Sequence, residues 1–260
     1  MILSPVEQSI KRKIESIGTP LKDWNIKIYR GILTGYNEAF IIDGKKKDEL
    51  ISADSKSAEI IRPILRGRDI KRYGFDFADL WLINTHNGIK DKDIPPVDIN
   101  QYPAVKAHLD KYWDKISVRN DKGYTPYNLR NCVYTDDFSK QKIVWGEISD
   151  KPKFAIDENG DYYVEATSFY MTGDMLFYLL HYLNSSLSKF YFSKLGTTTG
   201  VGTIRWKKFK LEELPIPKPD MLSPETLKKL MGTLNENEAD KLILSIYPFT
   251  SEELSSILEV

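Results

Sequence analysis

Between Ile60 and Tyr73 the chain reads IIRPILRGRDIKRY: five cations, one acid and a set of branched apolar residues. Arg62, Arg66, Arg68, Lys71 and Arg72 crowd together, while Ile60, Ile61, Ile64, Leu65 and Ile70 supply something to bury. In a chain of zero net charge, such a cluster suggests a positive face held on a rigid element. The plainer alternative is a solvated charge run, and Gly67 with Asp69 suggests that some of these arginines pair internally and brace the fold. Arg66, Arg68, Lys71 and Arg72 are the candidates for contact with a polyanion.

Two further segments offer recognition chemistry. RNDKGYTPYNLRN, from Arg119 to Asn131, sets Arg, Asn and Lys around turn-forming Gly and Pro. Arginine pairs bidentately with guanine and asparagine with adenine in the major groove. Arg119, Lys122, Tyr124, Asn128, Arg130 and Asn131 are therefore candidate base or backbone contacts, although Asn and Gly are also ordinary turn residues. In GTTTGVGTIRWKKFK, from Gly196 to Lys210, threonines flanked by glycines are suited to approach phosphates closely. Thr198 and Thr199 would donate hydroxyl and backbone N–H groups, and Arg205, Lys207 and Lys208 would supply charge. A plain connector with a solvated basic end is the competing reading.

Catalytic signatures are missing. The segments nearest to an Asn-Pro-Pro-Tyr tetrad are Thr125-Pro126-Tyr127-Asn128, without the leading Asn-Pro pair, and Ile94-Pro95-Pro96-Val97, without the Asn and the aromatic. No alternating strand–helix pattern with an early Gly-rich turn announces a cofactor sheet. Pro219-Asp220 is not followed by a strand ending in an acid-x-Lys triplet. His86, His108 and His181 are scattered without ligand spacing. The expectation is no catalytic residue, no metal and no cofactor in this chain.

The elements that position these segments are mixed. Ser4-Pro5-Val6-Glu7 is a capping box with Pro at the first helical position, and Val6, Ile10, Ile14 and Ile17 share one face of the helix that follows. Residues 24–29 and 39–42 read as strands on either side of a Gly31/Gly35 loop, and 80–85 as another. Residues 102–113 look helical. Strands are expected over 142–148 and 154–156, with 162–164 and 168–171 behind them at hairpin spacing. The stripe Leu176, Leu179, Leu180, Leu183, Leu187, Phe190 predicts one long helix over 174–192. Beyond the proline-rich LPIPKPD, helices are expected over 224–231 and 239–246, and a Thr250/Glu253 capping box opens a last short one.

Hydrophobic content of 41% with 28% charged residues is ordinary for a soluble globular protein. The single Cys132 excludes an internal disulfide and fits a reducing compartment. The N-terminus has no signal-peptide apolar core, and the apolar run 175–183 is too short to span a bilayer; a cytoplasmic protein is expected. Residues 211–260 hold ten acids against four bases, a net of −6, so residues 1–210 carry +6 of the zero total. A basic body of that size permits a modest electrostatic contribution to DNA affinity.

Three motifs in order, GILTGYNEAF, RPILRGRDIKRY and a closing LEELPIP, resemble the target-recognition region of TaqI-like and type IIG restriction–modification enzymes. The resemblance runs from Leu3 to Pro219 and includes the 119–131 segment with the strand behind it. It implies an α+β fold: a β-rich DNA-recognition body over 1–218 with supporting helices, and a small helical tail over 219–260. It also implies double-stranded DNA as partner, no membrane, and a fused adenine-N6 methyltransferase that binds S-adenosylmethionine, with an endonuclease in some members. The chain starts where such a catalytic region should end, so an excised piece with a supplied Met1 is expected. A type I specificity-subunit half should flank a long coiled-coil spacer, for which the segment after Pro219 is too short and too interrupted. A protein-interaction module, favoured by neutral charge and aromatic richness, would show no affinity for duplex DNA at low salt.

Overall fold

A computed structural model describes residues 3–195, 203–232 and 235–259. In chain order, α1 (Pro5–Ile17) precedes β1 (Thr19–Pro20), β2 (Ile26–Arg30), α2 (Asn37–Phe40), β3 (Ile41–Asp43), α3 (Gly44–Ala53), β4 (Ile61–Leu65) and β5 (Leu80–Ile83). Then come α4 (Pro103–Asp110), α5 (Trp113–Ile116), β6 (Lys142–Gly146), β7 (Ile148–Ser149), β8 (Phe154–Asp157), β9 (Tyr163–Val164) and β10 (Ser168–Gly173). The last part holds α6 (Leu176–Leu183), α7 (Ser186–Leu195), β11 (Ile204–Arg205), α8 (Lys208–Leu211), β12 (Pro215–Ile216), α9 (Pro224–Leu230), α10 (Glu236–Leu244) and α11 (Ser251–Leu258). The fold is α+β.

An antiparallel sheet ordered β2-β10-β6-β8 forms the central wall. Its side chains alternate between two cores, as a pleated strand requires. Ile28, Ile143, Trp145, Phe154, Phe169 and Met171 enter a first core shared with α1, α6 and α7. Val144, Ala155 and Tyr170 enter a second core, built with the sheet β3-β5-β4-β9 and with Val105 and Leu109 of α4. The acidic C-terminal segment is built into the first core through Leu230, Ile243, Tyr247 and Ile257. Glu253, buried in α11, accepts bonds from Lys13 (2.6 Å) and Ser9 (2.7 Å) of α1.

Several elements depart from the sequence expectation. The single helix over 174–192 is two, α6 and α7, because Asn184 leaves the helical pattern to bind β8. Its Nδ2 donates to the Phe154 carbonyl (2.9 Å) and its Oδ1 accepts from the Phe154 N–H (3.1 Å). Ser185 donates back to the Tyr182 carbonyl (2.7 Å), the local competition typical of short polar side chains. The expected strand over 39–42 begins as the turn α2, held by Thr34 donating to Asn37 (2.5 Å). The expected helix over 102–113 ends at Asp110. Residues 163–164 do not form a hairpin with 168–171: β9 joins β4 in parallel, whereas β10 lies between β2 and β6.

Candidate nucleic-acid interface

The ends of β2, β4, β6 and β9 converge on the turn 165–167. Gly31 abuts this turn so closely that a Cβ there would overlap the Glu165 carbonyl oxygen. Its N–H donates to Ser168 (2.9 Å), and the next N–H, of Ile32, donates to Val164 (2.8 Å). On the other side, a Cβ on Gly67 would sit 3.3 Å from the Gly146 Cα, so those two backbones touch. Glycine permits such approaches because it has no Cβ.

The surface is hollowed on both sides of the turn. A recess of about 340 Å³ is walled by Arg30, Asn84, His86 and the segment from Leu129 to Thr135, with no carboxylate in its lining. On the far side, two hollows of about 520 and 500 Å³ share Gly67, Arg68 and Thr167 and so form one groove. One end of the groove carries Arg66, Glu38 and Glu165, the other Lys71, Glu147, the half-exposed Ile148 and Lys153, which pairs with Asp150 (2.7 Å). Arg205, opposite Ile148 in the β7–β11 ladder and 3.9 Å from Glu147, continues this end. Recess and groove flank the same turn, and their linings hold Arg30, Arg66, Arg68, Lys71, Arg130 and Lys153 against Glu38, Glu147 and Glu165.

The sequence-predicted residues divide on this face. Arg68 is exposed and has no side-chain partner among the described residues. Lys71 is half exposed and donates to the Arg68 carbonyl (2.9 Å). Lys122 and Tyr124 are exposed at a loop tip, Tyr124 at 86%. Arg130 and Asn131 are exposed on the recess wall; Arg130 pairs loosely with Asp121 (3.1 Å) and Asn131 with Asn87. Lys207 lies over Phe209 (6.0 Å), and Lys208 is 3.7 Å from Glu212 one helical turn on. Thr198 and Thr199 lie outside the described residues.

Four predicted contacts have internal roles instead. Arg119 is buried, donating to the carbonyls of Thr34, Asp121 (2.5 Å), Pro126 (3.0 Å) and Asn128 (2.7 Å) and lying over Phe40. Burial pushes its pKa down to about 10, against the pull of Asp121. Asn128 is buried too, accepting from Thr125 and donating to Val97 (2.9 Å). Both are braces of the 119–131 loop. Arg66 makes a bidentate pair with Asp69 (2.9 and 2.7 Å) that closes the Gly67 turn. Arg72 turns into the helical layer, bonding Glu236 (2.8 Å) and the Asn184 carbonyl (2.8 Å). A loop that must hold a rigid shape uses such residues inward, and a one-dimensional cluster does not show which way each faces.

Sequence reasoning missed Arg30, Lys153 and His86. His86 Nδ1 accepts from the Gly88 N–H (3.2 Å), which leaves the proton on Nε2 as a donor in the recess. Burial first, then the charge of Arg62, lowers its pKa and keeps it neutral. Lone Arg, Lys and His residues in unremarkable surroundings carry no linear signal.

Residues 62–216 match the family model described as the TaqI-like C-terminal specificity domain. The chain belongs to that family. As a specificity domain it recognises the DNA target of a restriction or modification enzyme. It is 24% identical over 224 residues to the type II methyltransferase M.MjaIV of Methanocaldococcus jannaschii, covering 81% of this chain and 70% of that one. Its fold is similar to the type IIG restriction endonuclease BpuSI, with a TM-score of 0.62 at 15% identity, over 98% of this chain and 32% of BpuSI. It is also similar to the type IIL restriction–modification enzyme MmeI, solved in complex with DNA, with a TM-score of 0.65 at 11% identity, over 93% of this chain and 36% of MmeI. The specificity domain thus spans about a third of each solved enzyme.

Proposed function

We propose that this specificity domain selects a site in duplex DNA for an adenine-N6 methyltransferase that uses S-adenosylmethionine, on a polypeptide that also carries an endonuclease in some relatives. The observation that carries this reading is the face from Arg130 through Arg30 and Thr167 to Arg68, Lys71, Lys153 and Arg205, in a chain of the specificity family. On the groove side Arg68, together with Lys71 and Lys153 from their pairs with Asp76 (3.7 Å) and Asp150 (2.7 Å), would hold phosphates and set register. The donors on the recess side would meet base edges. Methyl transfer to a base requires the target nucleotide to leave the stack, which is the work of the catalytic partner. Holding the flanking duplex in one register is the work of this domain.

The natural setting is the cytoplasm, with the methyltransferase region and duplex DNA as partners. No helix among the described residues is long and apolar enough to cross a membrane. The test is selection by the purified 260-residue chain from a random duplex pool at low salt. Enrichment of one sequence motif is expected. Binding without enrichment would reduce the face to a non-specific clamp, and no binding would refute the reading. With labelled S-adenosylmethionine the same preparation is expected to transfer no methyl group, because the reading assigns that chemistry to the partner.

A further inference from the structure

We infer that Arg30 is a specificity-determining residue that reads a guanine in the target site; the inference rests on the reading of this chain as the DNA-selecting part. The chain has nine arginines, all among the described residues. Four have their guanidinium groups engaged inside the protein. Arg62 caps the backbone carbonyls of Ala58, Glu59 and Ile61. Arg66 pairs with Asp69, Arg72 ties β8 and the helices together through Asn184 and Glu236, and Arg119 is the loop brace. Arg130 and Arg205 face carboxylates of Asp121 and Glu147. Arg12 lies on α1, in the helical layer on the other side of the central sheet, and Arg68 is unanchored.

Arg30 alone combines an anchor with a free fork. Its Nε donates to the Ala166 carbonyl (2.6 Å), while Nη1 and Nη2 have no partner among the described residues. The anchor is a neutral carbonyl, so the positive charge is not neutralised. Its backbone is fixed as well: Arg30 pairs with Phe169 in the central sheet, and Gly31 beside it is bonded to Ser168 and packed on Glu165. The exposed guanidinium is therefore tethered at Nε, which limits its orientations and leaves the Nη1/Nη2 edge open to a ligand.

That orientation matters for one class of ligand. A phosphate does not need a placed fork, and the neighbouring groove offers it Arg68 together with Lys71 and Lys153, whose partners Asp76 (3.7 Å) and Asp150 (2.7 Å) are themselves exposed. A base edge demands a placed fork. Two adjacent acceptors, O6 and N7, occur on guanine only; adenine and cytosine present a donor there, and thymine a methyl group. The surrounding recess adds donors from Arg130 and His86 beside the amides of Asn84 and Asn131, and no carboxylate in its lining neutralises the Arg30 charge.

The experiment repeats the duplex selection with the 260-residue chain and with Arg30→Ala, Arg30→Lys and Arg68→Ala. Arg30→Lys keeps the charge and loses the fork, so it carries the test even where Arg30→Ala folds poorly; thermal melts check both. Both Arg30 variants are expected to enrich the wild-type motif with one G·C pair made degenerate, the preference there falling roughly 5- to 150-fold. Arg68→Ala is expected to weaken every sequence alike with the motif intact. An unchanged motif in the Arg30 variants, or uniform weakening, would overturn the inference while leaving the domain a DNA reader. If the wild-type chain enriches no motif, the proposed function itself fails and the inference falls with it.

Discussion

Replacing Arg119 by methionine should destabilise the domain by about 3 kcal/mol, although the residue lies in a segment that looks like a solvent-facing recognition loop. Its guanidinium serves four backbone carbonyls, those of Thr34, Asp121, Pro126 and Asn128. All four lose that donor, but Asn128 keeps the Gly123 N–H at 2.9 Å, so three carbonyls need a new one. At about 1–3 kcal/mol for a buried group left unsatisfied, with the half-buried Asp121 and Pro126 carbonyls at the bottom of that range, the gross loss is about 3–5 kcal/mol. Two terms offset it. The guanidinium is buried with its Nε unpartnered, so its removal relieves a desolvation penalty, and methionine retains much of the stem volume while losing the guanidinium contact over Phe40. The lower end of the range is expected, a shift of about 1 M in the urea midpoint for a chain of this size. Tryptophan fluorescence in urea measures it, with Arg130→Ala as reference. Arg130 is half exposed and its pair with Asp121 is worth less than about 1 kcal/mol. If Arg119→Met costs no more than Arg130→Ala, the brace is not one. Because the brace shapes the loop that carries Arg130 and Asn131, the variant should also blur sequence selection.

Three further outcomes follow from the same reasoning. Lys142 is fully buried and donates to Asp157 (2.5 Å) and to the Phe138 carbonyl (2.6 Å); Lys142→Met should cost about 3–5 kcal/mol, partly recovered in Lys142→Met/Asp157→Asn, and an additive double variant would contradict the coupling. His108 and His181 are buried and hydrogen-bonded to the Ala39 and Gly232 carbonyls, and burial lowers both pKa values. Above about pH 6.5 they are neutral folded or unfolded; below it the unfolded chain takes up protons first, so stability falls by at most about 1.4 kcal/mol per pH unit for each. Urea midpoints at about pH 7.5 and about pH 5.5 measure this, and a midpoint that rises on acidification would refute it. Removing Arg68, Lys71 and Lys153 together should weaken duplex binding on every sequence and flatten the slope of log affinity against log salt by about 0.9 for each phosphate no longer neutralised; an unchanged slope would take these cations off the DNA.

Much of the fold is legible because its signals are local. The capping boxes Ser4/Glu7 and Thr250/Glu253 both form and open α1 and α11. The alternation in KIVWG becomes a strand with Ile143 and Trp145 in one core and Val144 in the other. Of the three ordered motifs, RPILRGRDIKRY and LEELPIP open and close the span that matches the family, and GILTGYNEAF lies before it. What escapes is set by tertiary partners. Asn184 breaks a helix because a β-strand backbone needs its amide, and nothing within the leucine stripe announces that. β9 pairs in parallel with β4 across about a hundred residues of chain, a contact that hairpin spacing argues against. At the site, Arg119, Asn128, Arg66 and Arg72 have the residue types of DNA contacts and internal bonds. Arg30 has an ordinary sequence context and an unusual environment. Side-chain direction, not residue type, separates the two groups.

The most direct test of the central claim is hydrogen–deuterium exchange of the 260-residue chain with and without a duplex carrying its selected motif. Slowed exchange is predicted at 30–33, 66–71, 130–135, 147–153 and 165–168, the segments that make the recess, the turn and the groove. The helices α9, α10 and α11 should exchange as in the free protein. Protection confined to those helices, with the 165–167 turn, the recess and the groove unaffected, would contradict the account.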